Sequence, residues 1–304
     1  MADKILTILV TGANGQLGNE FKILDGNFPY CQFLFVGKEE VNIQDIAALS
    51  KYFSGHSIDY CINCAAYTAV DKAESEKYFA HLTNAEAVAT LAKVCNKNKT
   101  QLIHISTDYV FDGTATSPYK ETDKPNPVSV YGKSKLQGEQ LAMEHCPSTI
   151  VIRTSWLYSA FKNNFVKTML RLMDEKESIN VVNDQVGTPT YAADVALAIM
   201  RIIKSNKSKE HPGIYHFTNS GTTNWYEFAL AIKNETGSHC MVHPISTEQY
   251  PTAAKRPAYS VLDTAKIAAT FPVAIPDWKE SLRKCLSLIK KVPQSQSRSS
   301  HLNH

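Results

Sequence analysis

No apolar run in this sequence approaches the roughly 18 residues that a membrane-spanning helix needs. The N-terminus enters a strand directly, without a signal-peptide pattern, so a soluble, cytoplasmic protein is expected. Charge of one sign is also scarce. The net charge is +3 and the basic residues are scattered rather than striped, which argues against nucleic acid or a membrane as partner. Seven cysteines (31, 61, 64, 95, 146, 240 and 285) are an odd number set in apolar segments, which suits reduced core thiols. Cys61 and Cys64 form a C-x-x-C pair, but Asp59–Cys64 reads as a strand, where positions three apart face opposite sides. That disfavours redox or zinc chemistry. The ten histidines show no ligand spacing, and no metal is expected.

What is present fits a chain of 304 residues with one large domain and a smaller one. Lys4–Thr11 is a continuous apolar run with β-branched residues, as in a strand buried on both faces of a parallel sheet. Gly12-Ala-Asn-Gly15-Gln-Leu-Gly18 follows at once, and a helical pattern (Leu17, Phe21, Leu24) comes after it. Strand, glycine turn and helix form a dinucleotide-binding context: Gly12 for the turn, Gly15 for approach to a pyrophosphate, Gly18 for helix–strand packing. The spacing is one residue longer than G-x-G-x-x-G, and a tight turn without a ligand is the plainer alternative. The second strand, Gln32–Val36, ends at Gly37-Lys38-Glu39-Glu40. Lys38 suits a ribose 2′-phosphate and Glu39 or Glu40 a 2′-hydroxyl, so NADPH is mildly favoured and NADH stays open.

A helix (Ile43–Tyr52) leads to a third strand, Ile58–Cys64, whose end carries the small Ala65 and Ala66 before Tyr67. These let a flat nucleotide pass close over the strand end, or simply pack. Asn84 lies among apolar residues of a helix from Phe79 to Asn96 and reads as a cap for a nearby turn or a relay member. The fourth strand, Gln101–Ser106, places Ser106 and Thr107 to hydrogen-bond a substrate carbonyl, because ligands of open α/β sheets bind at the carboxyl ends of strands. A proline-rich crossing leads to Tyr131-Gly132-Lys133-Ser134-Lys135 on a helix, and a fifth strand spans Thr149–Arg153. Residues four apart share a helix face, so the Lys135 cation is expected beside the Tyr131 phenol, lowering its pKa for acid–base work.

Together Gly12–Gly18, Asn63–Glu74, Ser106–Gly113 and Tyr131–Lys135 resemble the extended short-chain dehydrogenase/reductase superfamily. STDYVFDG, PYxETD (118–123), RTSWLY (153–158), NNFVKTML (163–170), NDQVGTPT (183–190), TNSGTTNWYEFA (218–229) and RP (256–257) more closely resemble dTDP-4-dehydrorhamnose reductases. The resemblance runs from about residue 5 to about 288.

It implies an α/β Rossmann-type doubly wound parallel sheet. Residues 1–150 would bind NAD(P), with later segments crossing back, and 151–292 would mainly bind substrate. Residues 293–304 read as a disordered tail rich in Ser, Gln and His. The implied reaction reduces the C4 ketone of dTDP-6-deoxy-L-lyxo-4-hexulose to dTDP-L-rhamnose, serving cell-surface polysaccharide. Thr107, Tyr131 and Lys135 would be catalytic. Gly12, Asn14, Gly15, Gln16, Leu17, Gly18, Lys38, Ala65, Ala66, Tyr67 and Asn84 would hold NADPH or NADH, with Tyr131 and Lys135.

Thr107, Asp108, Val110, Phe111, Trp156, Asn164, Gln185 and Arg256 would meet the nucleotide-sugar. Trp156 by itself reads as core rather than a sugar platform, and Arg256 as a solvated loop residue or a phosphate fork. Some family members form a magnesium-bridged dimer held by glutamates. Glu20 matches one such position, but Ala193 stands where another would fall, so a homodimer stays open and no metal is expected. The alternatives are a non-catalytic NADP-binding regulatory subunit, or another nucleotide-sugar reductase or epimerase.

Overall fold

The computed structural model describes residues 5–205 and 207–291. The tail read as disordered therefore lies outside the described residues. Six parallel strands form the central sheet. In chain order the first five are β1 (Leu6–Thr11), β2 (Cys31–Val36), β3 (Tyr60–Asn63), β4 (Gln101–Thr107) and β5 (Ile150–Thr154). The sixth, Gly213–His216, crosses back from the second half to lie beside β5. Across the sheet the order is Gly213–His216, β5, β4, β3, β1, β2. The chain leaves β1 for β2 on one side and returns to β3 on the other, which opens a crevice at the carboxyl ends of β1 and β3.

Alternation along β1 explains why the sheet is covered on both faces. Ile8 and Val10 join Ile62, Ile103 and Ile152 in a core under the helices Gln16–Leu24 and Ala192–Lys204. Leu9, between them, joins Cys61, Leu102, Leu49 and Leu91 in a second core on the opposite face. A third cluster lies in the second half, where Tyr158, Val166, Phe228, Trp278 and Leu282 pack together. Short strand pairs frame it, such as Ser178–Val182 with Met241–Ile245 in parallel. All seven cysteines are free thiols.

Two helices differ from the sequence reading for local reasons. The helix expected from Ile43 begins at Ile46, because the Asp45 carboxylate accepts from the backbone N–H groups of Ala47 and Ala48 and caps it there. The helix expected over Phe79–Asn96 is broken by a π-helical turn, Leu82–Glu86, between Lys77–His81 and Ala87–Lys97. The wide turn brings the Asn84 carbonyl against Gly138 of the neighbouring helix Val130–His145, so closely that a Cβ at 138 would lie 2.0 Å from it. Such bulges recur beside functional sites.

Candidate active site at the carboxyl edge of the sheet

The glycine turn has the geometry of a phosphate cradle. Gly12 adopts φ +64°, and a Cβ there would lie 2.6 Å from the Ala65 backbone nitrogen, so only glycine fits. Gly18 approaches Ala13 equally closely, with a Cβ position 2.6 Å from its Cα. Gly15 is the N-cap of the helix Gln16–Leu24, which has no side-chain cap and no acidic residue in its first turn. Its first N–H groups are therefore available to an anion. Asn14 is exposed and Leu17 is buried in the core, so Leu17 offers only its backbone to a ligand. Lys38 is exposed just past β2, and the Glu40 carboxylate accepts from the Gly37 N–H at 2.7 Å. Ala65 and Ala66 are half-buried at the end of β3. The residues present thus fit a dinucleotide.

Asn84 takes the capping role of the two expected for it. Its amide accepts from Tyr67 N at 2.8 Å and donates to Tyr67 O and Ser134 Oγ, both at 3.0 Å. It is buried, and these bonds hold the Tyr67 turn against the helix Val130–His145.

Thr107 ends β4, and Tyr131 stands in the first turn of the helix Val130–His145, capped by Ser129. The Thr107 hydroxyl acts on the Tyr131 phenol and favours its ionised form. Thr107 Oγ1 donates to Asp108 Oδ1 at 2.9 Å. Lys135 Nζ donates to the Ile105 carbonyl at 2.6 Å.

The expected electrostatics need correcting. Desolvation pushes the Tyr131 phenol above its usual value, the nearby Thr107 hydroxyl opposes this, and Asp108 and Tyr109 add to the rise. Desolvation also draws Lys135 down to about 8, against the pull of Glu139 and Cys64. The cation expected to depress the phenol is thus itself weakened by burial. Desolvation lifts Asp108 to about 7, against hydrogen bonds from Thr107, Ser260 and the backbone.

Other expectations fail because the strand and its following turn direct side chains inward. The Ser106 hydroxyl donates to buried Glu139 Oε1 at 2.5 Å. Val110 and Phe111 are 0% and 1% exposed, and Phe111 stacks on Tyr119 at 4.2 Å between centroids. They are core residues rather than sugar contacts. Asn164 caps the helix Phe165–Glu175 and donates to Gln16 Oε1 and Ser159 O at 3.0 and 2.8 Å. Its amide is committed within the protein, where the sequence reading had it meet the nucleotide-sugar.

A cleft of about 700 Å³ opens beside this edge, lined by Tyr109, Phe165, Gln185, Trp225, Tyr250 and Arg256 among others. Tyr109 lies ring-to-edge with Tyr131 at 5.5 Å and so joins cleft to phenol. Half-buried Trp156 stacks on Trp225 at 3.6 Å, and Trp225 Nε1 donates to Gln185 Oε1 at 3.1 Å. Arg256 pairs with Asp71 at 2.7 Å and donates to the Tyr109 hydroxyl at 3.4 Å. Asp71, Tyr109, Phe165, Trp225 and Tyr250 escaped the sequence reading as site residues. Asp71, Tyr109, Phe165 and Trp225 lay within the motifs that carry the family resemblance, and that was the available clue; Tyr250 lay in none of them.

The RmlD substrate binding domain family model matches residues 6–291. A dTDP-4-dehydrorhamnose reductase from Sinorhizobium fredii is 41% identical over 286 residues, covering 92% of this chain and 96% of its own. A crystal structure of a dTDP-4-dehydrorhamnose reductase from Clostridium acetobutylicum superposes with TM-score 0.88 at 40% identity, over 94% of this chain and 100% of that one. One from Bacillus anthracis, in complex with NADP, gives TM-score 0.88 at 37% identity, over 93% and 99%. The chain belongs to the RmlD substrate binding domain family.

Proposed function

We propose that this protein is a dTDP-4-dehydrorhamnose reductase that converts the C4 ketone of dTDP-6-deoxy-L-lyxo-4-hexulose to the alcohol of dTDP-L-rhamnose. The observation that carries this reading is the placement of Tyr131, edge-on at 5.5 Å to Tyr109 of the 700 Å³ cleft, in a chain whose relatives carry that name. NADPH or NADH, when bound, supplies the hydride to C4. Gly12–Gly18 and the open N-terminus of the helix Gln16–Leu24 would hold the pyrophosphate, and Lys38 would meet a 2′-phosphate.

Thr107 orients the ketone, and Tyr131 gives the carbonyl oxygen its proton. The raised pKa suits that task, since the phenol remains protonated at neutral pH until charge develops on the substrate oxygen. Lys135 would hold the nicotinamide ribose and would place positive charge near the nascent phenolate. Residues 1–150 carry the cofactor side, and most of 151–292 the nucleotide-sugar side. There Arg256 faces phosphate while Trp156, Trp225 and Gln185 form one wall.

A non-catalytic regulatory subunit would not need the hydroxyl pair of Thr107 and Tyr131 beside a buried Lys135. A spectrophotometric assay with the 4-keto sugar and each cofactor tests the proposal. No oxidation of NADPH or NADH with this sugar, but turnover of another nucleotide-sugar, would replace it.

A further inference from the structure

Beneath the catalytic helix a row of buried polar groups crosses the sheet where apolar ones would be ordinary. Strand register pairs Thr11 of β1 with Asn63 of β3, and Asn63 with His104 of β4. These three and Lys135 are at most 2% exposed. Buried polar groups destabilise a fold unless partnered, and these are joined end to end. Thr11 Oγ1 donates to Asn63 Oδ1 at 2.7 Å, Asn63 Nδ2 meets His104 Nδ1 at 3.0 Å, and His104 Nε2 faces Lys135 Nζ at 3.5 Å.

One backbone group fixes the hydrogens along this row. The Ala65 N–H can only donate, and it meets Asn63 Oδ1 at 3.2 Å. Oδ1 is therefore the acceptor end of the amide, and Nδ2 donates to His104 Nδ1. Nδ1 must be bare. Burial, then the Lys135 charge, hold His104 well below its usual pKa, so the ring is neutral. A neutral ring with bare Nδ1 carries its hydrogen on Nε2, facing Lys135. An N–H offers no lone pair to an ammonium.

We propose that His104 is a positioning residue for Lys135. Locked by Asn63 with its hydrogen on Nε2, it withholds an acceptor, steers the ammonium to the Ile105 carbonyl and makes Lys135 easier to deprotonate. This rests on the reading of Lys135 as part of the reductase site. The other groups around Lys135 act differently. Glu139 on the same helix and Cys64 at the end of β3 favour its charge. Arg153 of β5 is engaged by Glu139 at 2.6 Å, and Tyr131 lies one turn away.

The test uses full-length protein labelled with ¹⁵N-histidine and ¹³Cε-lysine, the His104 and Lys135 resonances being assigned with His104→Gln and Lys135→Met. At neutral pH the His104 ring should show a bare Nδ1 and a protonated Nε2. Asn63→Asp puts an acceptor against Nδ1, so the hydrogen should move there and leave Nε2 free to accept from Lys135. The Lys135 titration should then rise by about one pH unit. The double variant Asn63→Asp/His104→Leu keeps the carboxylate without the ring and should show a clearly smaller rise. A wild-type ring protonated on Nδ1, or on both nitrogens, overturns the proposal even if no variant folds. Equal rises in single and double variants overturn it too, since the carboxylate charge alone would explain them. Neither readout depends on turnover, so failure of the sugar assay stands apart from failure here.

Discussion

Arg256 and Asp71, 185 residues apart in sequence, form an ion pair of 2.7 Å at the side of the cleft. The pair joins the short helix Val70–Ala73, which follows β3, to a loop in the second half of the chain. It aims the planar fork of Arg256 while leaving the Tyr109 hydroxyl within 3.4 Å of the same guanidinium. Replacing Asp71 with Asn keeps the shape and removes the charge. Because Arg256 is assigned to binding, Asp71→Asn and Arg256→Ala should both raise KM for the nucleotide-sugar, with kcat changed far less. The exposed partner limits the effect of Asp71 to roughly fivefold. A fall in kcat at unchanged KM would move this pair from binding to chemistry.

Tyr131→Phe keeps the ring and removes the proton donor. Dinucleotide binding should survive while turnover drops by about 10²–10⁴-fold. Stopped-flow or steady-state measurement of kcat, with cofactor titration by fluorescence, checks both halves. Near-normal kcat would end the mechanism.

Cofactor choice should depend on Lys38. NADPH is expected to serve at least as well as NADH, and Lys38→Ala should lower kcat/KM for NADPH by about fivefold while sparing NADH. The Glu40 carboxylate is already held on the Gly37 N–H, and a Cβ at Gly37 would lie 2.8 Å from it and 2.7 Å from Asn14 Nδ2. Gly37→Asp must therefore displace Glu40 before it can repel a 2′-phosphate. It should still shift preference toward NADH. Ratios of kcat/KM for the two cofactors decide this, and a wild type that strongly prefers NADH would contradict the assignment.

Glu139 and Arg153 form a buried pair, each about 1% exposed, with contacts of 2.6 and 2.9 Å, and Ser106 donates to the same carboxylate. Glu139→Gln removes one charge and leaves the guanidinium uncompensated in the core. A loss on the order of 3–5 kcal/mol in urea unfolding is expected. A change below 1 kcal/mol would mean that water or another anion reaches Arg153.

Glu20 gives stability a distinct pH dependence. It is 1% exposed, its Oε1 has no hydrogen-bond partner among the described residues, and burial followed by the charge of Asp194 raises its pKa to about 7. The folded protein then binds more protons than the unfolded chain between about 4.5 and 7. The group's favourable contribution is complete below that window and is lost as pH rises through it. Glu20→Gln should abolish this slope and stabilise the protein at pH 8 by roughly 2–3 kcal/mol. Thermal unfolding of both proteins at several pH values is the measurement, and parallel curves would refute the assignment.

What the sequence determined by itself was local. The strand–glycine–helix order at Leu6–Leu24, the parallel strands and the four-residue spacing of Tyr131 and Lys135 depend on neighbours in the chain, and pattern reveals them. Through-space relations were decided only by the tertiary structure. That Val110 and Phe111 turn into the core, that Asn164 caps a helix and touches Gln16, and that Arg256 finds Asp71 all depend on which segments pack together. The same holds for the phenol and its lysine: spacing puts them on one helix face, but burial sets the direction of both pKa shifts. Sheet register, which aligns Thr11, Asn63 and His104 beneath Lys135, is invisible in a linear string because each strand supplies a single residue.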